Sequence, residues 1–255
     1  MKLLSIRKLL SARPEEGPAR DRNEIALTDR SVAYLDAAWA RLRGYFGPEV
    51  PAFAEPLRYL YVNPLEVQLR CGLSYPPDAA RPRQRFENYG RIVTNTKWER
   101  GARSVYVYSL AECLQRRFID GLSWEKSGVI DLKLKEIERA GRSIDGALDR
   151  KDLLKRYERV DRLFDDIQKR GFKRQVDLEP PVSLSNELFI SIGRSGRTYF
   201  SNGGNHRLFI AQILRLEKIP FLVMARDEAW VKRVLQSRDQ PASPLRRHPE
   251  WGNSL

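Results

Sequence analysis

Residues 198 to 223 read TYFSNGGNHRLFIAQILRLEKIPFLV, and the fold turns on how this stretch is read. Thr198, Tyr199 and Phe200 are β-prone. Ser201-Asn202-Gly203-Gly204 is a polar glycine turn. Asn205 to Leu216 carries Leu208, Ile213 and Leu216 at helical spacing, and Pro220 opens a second β-rich run, Phe221 to Ala225. The predicted order is strand, glycine turn, helix, strand. The first amides of such a helix have no intrahelical acceptor and sit at the positive end of its dipole, so the turn is an anion-site candidate. Gly203 and Gly204 would let a phosphate approach the backbone closely. His206 and Arg207 fall in the first helical turn and are read as flanking that anion, with Arg207 gripping it bidentately. The pattern lacks the lysine and hydroxyl of a Walker A loop and is not a GxGxxG fingerprint. The plainer alternative is a tight turn with a packed or capping His206.

Outward from this stretch, Leu188 to Ile192 is a β-rich run whose hairpin partner is Thr198 to Phe200, across Gly193-Arg194-Ser195-Gly196. From Asp149, the residues Leu153, Tyr157, Val160, Phe164 and Ile167 share one helical face, and Gly171 ends that helix. Earlier in the chain, Thr28 or Asp29 caps a helix to about Phe46, and Ser109-x-x-Glu112 is a capping box for a helix stopped at Gly121. A further helix is expected from about Trp124 to Ala140. Residues 48 to 85 hold seven of the fifteen prolines and read as extended linker with one short strand, Tyr59 to Val62. Residues 1 to 24 read as a basic tail without a secretory signal, and residues 231 to 255 as a C-terminal tail.

Composition excludes several classes. The chain has 255 residues, and 46 Lys and Arg against 33 Asp and Glu give a net charge of +13. Two cysteines, Cys71 and Cys113, and two histidines, His206 and His248, exclude a disulfide scaffold, a cysteine zinc cluster and a multi-histidine metal site. No run approaches the roughly 20 apolar residues of a membrane span, and the expected location is cytoplasmic. The positive charge favours polyanionic partners. It concentrates in residues 81 to 118, where Arg81, Arg83, Arg85, Arg91, Lys97, Arg100, Arg103, Arg116 and Arg117 face only Glu87, Glu99 and Glu112. Phe86, Tyr89, Trp98, Tyr106 and Tyr108 interleave with them, a mixture able to bind phosphates and stack bases. A solvated basic face over an aromatic core is the alternative.

Ser201 to Arg207, followed by a helix and Ile219-Pro220 opening a strand, resembles the C-terminal half of the ParB/sulfiredoxin superfamily core. The resemblance covers residues 150 to 226 and is most specific in the loop, helix and Ile-Pro string. Ile190 to Gly196, Asn205-His206-Arg207 and Trp230 also resemble an uncharacterised ParB-like group, in which Gly90 to Trp98 and Phe118 to Trp124 would belong to the same unit. Sulfiredoxins place a catalytic cysteine where this chain has Asn205, and an amide cannot serve as that nucleophile. Partition ParB proteins add a helix-turn-helix domain, whereas 29 residues follow Arg226 here, so that role is not expected. The resemblance therefore implies nucleotide phosphate at the loop, in a protein acting as an NTP-dependent phosphotransferase or NTPase or binding without turnover.

The resulting expectation is an α+β protein: a ParB/sulfiredoxin-like core with a small mixed sheet in residues 149 to 230, preceded by a mostly helical region in residues 25 to 148. The phosphate-binding candidates are Ser201, Asn202, Gly203, Gly204, Asn205, His206, Arg207 and Arg194. The catalytic candidates are His206, Arg207 and a carboxylate on the preceding helix, Asp161, whose alternative, as for Glu158 and Asp165, is a solvated place at exposed helical spacing. The expected cofactor is ATP or another NTP with Mg²⁺, without a resident metal. The alternative is a non-catalytic nucleic-acid-binding module built on residues 81 to 118. Trp230 is read as packing beneath the last strand and His248 as without a role.

Overall fold

The computed structural model describes residues 29–71, 88–94, 97–107, 109–178, 183–237 and 248–249. The expected tail at residues 1–24 falls outside these residues, as do residues 238–247 and 250–255 of the tail expected at 231–255 and Arg81, Arg83, Arg85, Phe86, Glu87 and Tyr108. Among the described residues, seven α-helices and a mixed sheet of seven strands give an α+β architecture.

The sheet is organised by its last strand, β7 (Ile219–Asp227), buried at all nine positions. A strand covered on both faces reads as a continuous apolar run, which is what Ile219-Pro220-Phe221-Leu222-Val223-Met224-Ala225 supplies. Pro220 sits at the start of the strand, where a missing N–H disturbs the ladder least. On one side β7 pairs with β1 (Tyr59–Val62, antiparallel) and, further along, with β3 (Arg91–Val93, parallel). On the other side it pairs in parallel with β5 (Phe189–Ile192), which forms the expected hairpin with β6 (Thr198–Asn202). Beyond β6 lie β2 (Leu69–Arg70, parallel to β6) and β4 (Arg103–Ser104, antiparallel to β2).

The helices are α1 (Asp29–Phe46), α2 (Lys97–Arg100), α3 (Ser109–Phe118), α4 (Val129–Ala140), α5 (Arg150–Arg170), α6 (Asn205–Ile213) and α7 (Glu228–Gln236). The main core joins one sheet face, through Ile190, Ile192, Phe200 and Phe221, to α3, α4, α5 and α6. The other face meets α1 through Leu35 and Ala38 against Phe189, Leu222 and Met224, while a smaller cluster holds Cys71, Trp98, Tyr199 and Ala225.

Four expectations are corrected here. Residues 48 to 71 are not linker, because β1 and β2 are members of the central sheet. The N-terminal half, where helix outweighs strand as expected, does not merely precede the core: β1 to β4 interleave with β5 to β7 in one sheet that spans the expected boundary at 148/149. Residues 231 to 236 belong to α7, whose Trp230, Val231 and Val234 are buried, rather than to a tail. The helix expected from Trp124 starts at Val129, after left-handed Gly128. Trp230 does pack inward: a Cβ on Gly196 would lie 2.6 Å from its ring. The His248 ring lies tilted against Trp230, centroids 4.4 Å apart, and its Nε2 is 2.8 Å from the Gly196 carbonyl.

Candidate functional site: the turn before α6

The site is the passage from β6 into α6. Pairing steps from Ile190↔Phe200 to Phe189↔Asn202, so Ser201 is an extra residue that bends the strand out of the ladder. Gly203 (φ 76°) and Gly204 (φ 51°) then occupy left-handed conformations that turn the chain into the helix. Gly204 is needed on a second count, since a Cβ there would stand 2.7 Å from Leu188 Cδ2. The close neighbour explaining Gly204 is thus a core leucine. The amides of Asn205, His206 and Arg207 donate to no acceptor among the described residues, whereas Leu208 N–H closes the first helical bond to the Gly204 carbonyl at 3.0 Å. Three donors therefore face outward at the positive end of α6.

The side chains of this turn go to different places. Asn205 Oδ1 accepts a hydrogen bond from Arg70 Nη2, and the Arg70 guanidinium lies 4.8 Å from the centroid of the Phe200 ring. Arg70 was not anticipated: it sits on a two-residue strand in the proline-rich stretch and meets the turn only through the pairing of β2 with β6. Ser201 is fully buried, its Oγ 2.6 Å from Ser191 Oγ and 3.5 Å from Cys71 Sγ, so it faces the protein and not a ligand. The Asn202 backbone lies in β6.

Arg207 departs from its expected role. Its side chain is 10% exposed and points away from the three amides. The guanidinium donates to the carbonyls of Asn186, at 3.2 Å, and of Lys173, lies 3.6 Å from Glu187 Oε2 and covers Phe172 at 4.4 Å. Glu187, fully buried, receives Tyr59 O–H (2.8 Å) and Gln175 N–H (2.6 Å) on Oε1. Arg207 fastens the connection between α5 and β5 to α6. Burial lowers its pKa and the Glu187 carboxylate raises it in opposition.

His206 also turns inward, to an edge contact with Tyr157 with ring centroids 5.7 Å apart. Burial, with Arg156 nearby, pushes the imidazole down to about 4, so it is neutral at pH 7 and adds no charge to the turn. Asp161 is likewise redirected. Its carboxylate accepts from Arg117 Nε (3.0 Å) and Nη2 (3.1 Å) and from Trp124 Nε1 (2.9 Å), which ties α3 and the following turn to α5. Glu158 and Asp165 are exposed, as read from the sequence. Arg194 lies in the β5–β6 turn, at the opposite end of β6 from the glycines, roughly 13 Å along the strand at 3.3 Å per residue. Its amide donates to Glu99 Oε1 at 2.8 Å, and the fold does not bring it to α6.

Part of the basic segment is used internally. Arg117 serves Asp161 and the Leu122 carbonyl and Arg91 donates to Asn88, whereas Arg116 pairs with Glu112 at the surface. Arg100 and Arg103 are exposed and make no ion pair among the described residues. No cluster of three or more His, Cys, Asp or Glu side chains among the described residues could hold a metal ion, and no described helix is long and apolar enough to cross a membrane. Comparisons of the chain with protein-family models, curated proteins and solved structures found no match.

Proposed function

We propose that the turn at residues 201 to 207 binds the phosphate of a nucleotide, ATP being the first to test, and that Arg70 is its principal cation. The observation that carries this reading is the set of three outward amides at Asn205, His206 and Arg207, with the Arg70 guanidinium tethered to the Asn205 side chain at the same helix end. Amides and a guanidinium together suit a phosphate, which takes several donors at once. The resemblance to the ParB/sulfiredoxin superfamily supports a nucleotide over a simple anion.

The reading is binding, without an assigned turnover step. A phosphotransferase or NTPase would need a carboxylate beside the phosphates. Asp161 is committed to Arg117 and Trp124, and Glu187 to Tyr59, Gln175 and Arg207. Neither of these two carboxylates is therefore left to hold Mg²⁺ at the turn, and no described cluster of His, Cys, Asp or Glu would hold one. The nucleic-acid alternative keeps Arg100, Arg103 and the surface-paired Arg116 as exposed cations but loses Arg117 to Asp161.

The test is calorimetric titration with ATP, ADP, CTP and GTP, each with and without Mg²⁺, of the wild type and Arg70→Gln. Loss of a charge-assisted contact worth about 1.5–3 kcal/mol weakens binding roughly 10- to 150-fold. Equal affinity of the variant, or no binding of any nucleotide by the wild type, would overturn the reading. A steep salt dependence with oligonucleotides instead would favour the nucleic-acid alternative.

A further inference from the structure

The short ladder between β2 and β4 sets two arginines opposite each other. Arg70 of β2 is the register partner of Arg103 of β4, in an antiparallel pair. Residues directly opposite in such a pair point to the same face, with Cβ atoms about 4.5–5.5 Å apart. Alternation along the strands says which face this is. Leu69, Cys71 and Tyr199 belong to the small cluster on one side of the sheet. Phe200, the register partner of Arg70 on β6, belongs to the main core on the other side, the side that carries α6. Phe200, Arg70 and Arg103 therefore form one row across three strands, running outward from the turn.

Like charges directly opposite each other destabilise a ladder. This ladder has no acid of its own to relieve them: its other residues are Leu69 and Ser104, and Gln68 and Val105 follow. Arg70 is drawn toward the helix end, where its Nη2 donates to Asn205 Oδ1 and its guanidinium covers Phe200. Arg103 is exposed and makes no ion pair among the described residues. Glu99, four residues earlier, is already taken: Oε1 accepts from the Arg194 amide at 2.8 Å and Oε2 from the Tyr199 hydroxyl at 3.1 Å.

Two guanidiniums held side by side are complementary to an anion with two charged centres side by side. Each can grip one phosphate through two N–H donors. Because Arg103 lies at the exposed end of the row, the second phosphate needs no enclosed cavity. Resting on phosphate binding at the turn, we propose that Arg103 holds a second phosphate beside the one at Arg70, so that the site selects nucleoside di- and triphosphates over monophosphates.

Calorimetric titration with AMP, ADP and ATP, without Mg²⁺ and at 0.15 M salt, tests this on the wild type, Arg103→Gln and Arg100→Gln. One charge-assisted contact makes the wild type prefer ADP to AMP by about 10- to 150-fold. Arg103→Gln removes most of that preference and keeps AMP affinity within about threefold, since a charge one phosphate away is largely screened. Arg100→Gln removes an exposed cation of α2, outside the row, and keeps the preference. Equal affinity of the wild type for AMP and ADP overturns the second phosphate and leaves the first standing. So does a preference that survives Arg103→Gln, or that falls as far in Arg100→Gln. Binding of none of the three overturns the phosphate reading of the turn and this inference with it. Melting without nucleotide gives a second readout. Relief of the like-charge pair leaves Arg103→Gln at least as stable as the wild type. A lower midpoint would give Arg103 a partner within the protein and overturn its assignment to a ligand.

Discussion

Arg207→Met tests whether the arginine of the Asn-His-Arg triplet holds the fold or a ligand. Methionine keeps the unbranched apolar stem but ends short of the guanidinium that covers Phe172, so the substitution removes the charge, the donors and that ring contact. Breaking a buried ion pair by removing one partner costs about 3–5 kcal/mol. The Glu187 side chain is 1% exposed but keeps two donors on Oε1, which favours the lower end of that range. The Asn186 and Lys173 carbonyls lose their guanidinium donors, each at about 1 kcal/mol unless water reaches them. The expected sum is about 3–5 kcal/mol, or a melting midpoint lower by roughly 6–20 °C at 2–4 °C per kcal/mol. Urea unfolding at pH 7, followed by tryptophan fluorescence, measures it. A cycle with Glu187→Gln isolates the pair: the double variant should lose about 1.5 kcal/mol less than the sum of the singles. A loss below about 1 kcal/mol, or strict additivity, would refute a structural Arg207 and return it to the ligand.

Asp161→Asn keeps one acceptor but loses the charge that holds Arg117; differential scanning calorimetry should show about 1–2 kcal/mol of destabilisation, with nucleotide affinity unchanged. Acid should weaken the fold through His206. Its folded pKa, about 4, lies below the ordinary 6.5, so the unfolded chain takes the proton first and stability present above pH 6.5 drains as pH falls toward 4. The His206 share of the slope approaches about 1.4 kcal/mol per pH unit. Urea titrations at pH 6.5, 5.75 and 5.0 should show it in the wild type and a flatter profile in His206→Gln.

Local signals strong enough to stand alone were legible in the sequence. The helix expected from Thr28 or Asp29 to about Phe46 is α1, with Leu35, Ala38 and Leu42 buried, and the Leu153 to Ile167 stripe with Asp149 ahead of it gave α5, whose Asp149 side chain does accept from Asp152 N–H at 2.8 Å. The β5–β6 hairpin was marked by its two glycines. What failed depends on partners distant in sequence. Leu69–Arg70 is too short to show a period-two pattern, and it is a strand only because Phe200, 130 residues later, lies beside it. The α7 segment did carry a usable signal. Asp227 caps it through Ala229 N–H at 2.9 Å, and Trp230, Val231 and Val234 form an apolar face. Following the last strand with polar residues, it read as a tail.

The redirection of the Asn-His-Arg triplet follows from helix geometry. Successive residues on a helix are 100° apart and do not face one another. Asn205, His206 and Arg207 therefore leave α6 in three directions, and three side chains cannot all close on one anion at the axis. Only the backbone amides converge there. Each side chain ties the helix end to a different element: Asn205 to β2 through Arg70, His206 to α5 through Tyr157, and Arg207 to the segment before β5 through Lys173, Asn186 and Glu187. A helix end held from three sides keeps its outward amides fixed with little freedom left to lose on binding, which is the condition under which three weak donors act together. On the proposed reading the cation that complements them comes from outside the helix, as Arg70 of β2, which is bonded to Asn205. On that reading, a turn that reads in sequence as a self-sufficient phosphate grip becomes a backbone cradle whose side chains hold it in place and whose charge comes from Arg70, 135 residues before Asn205.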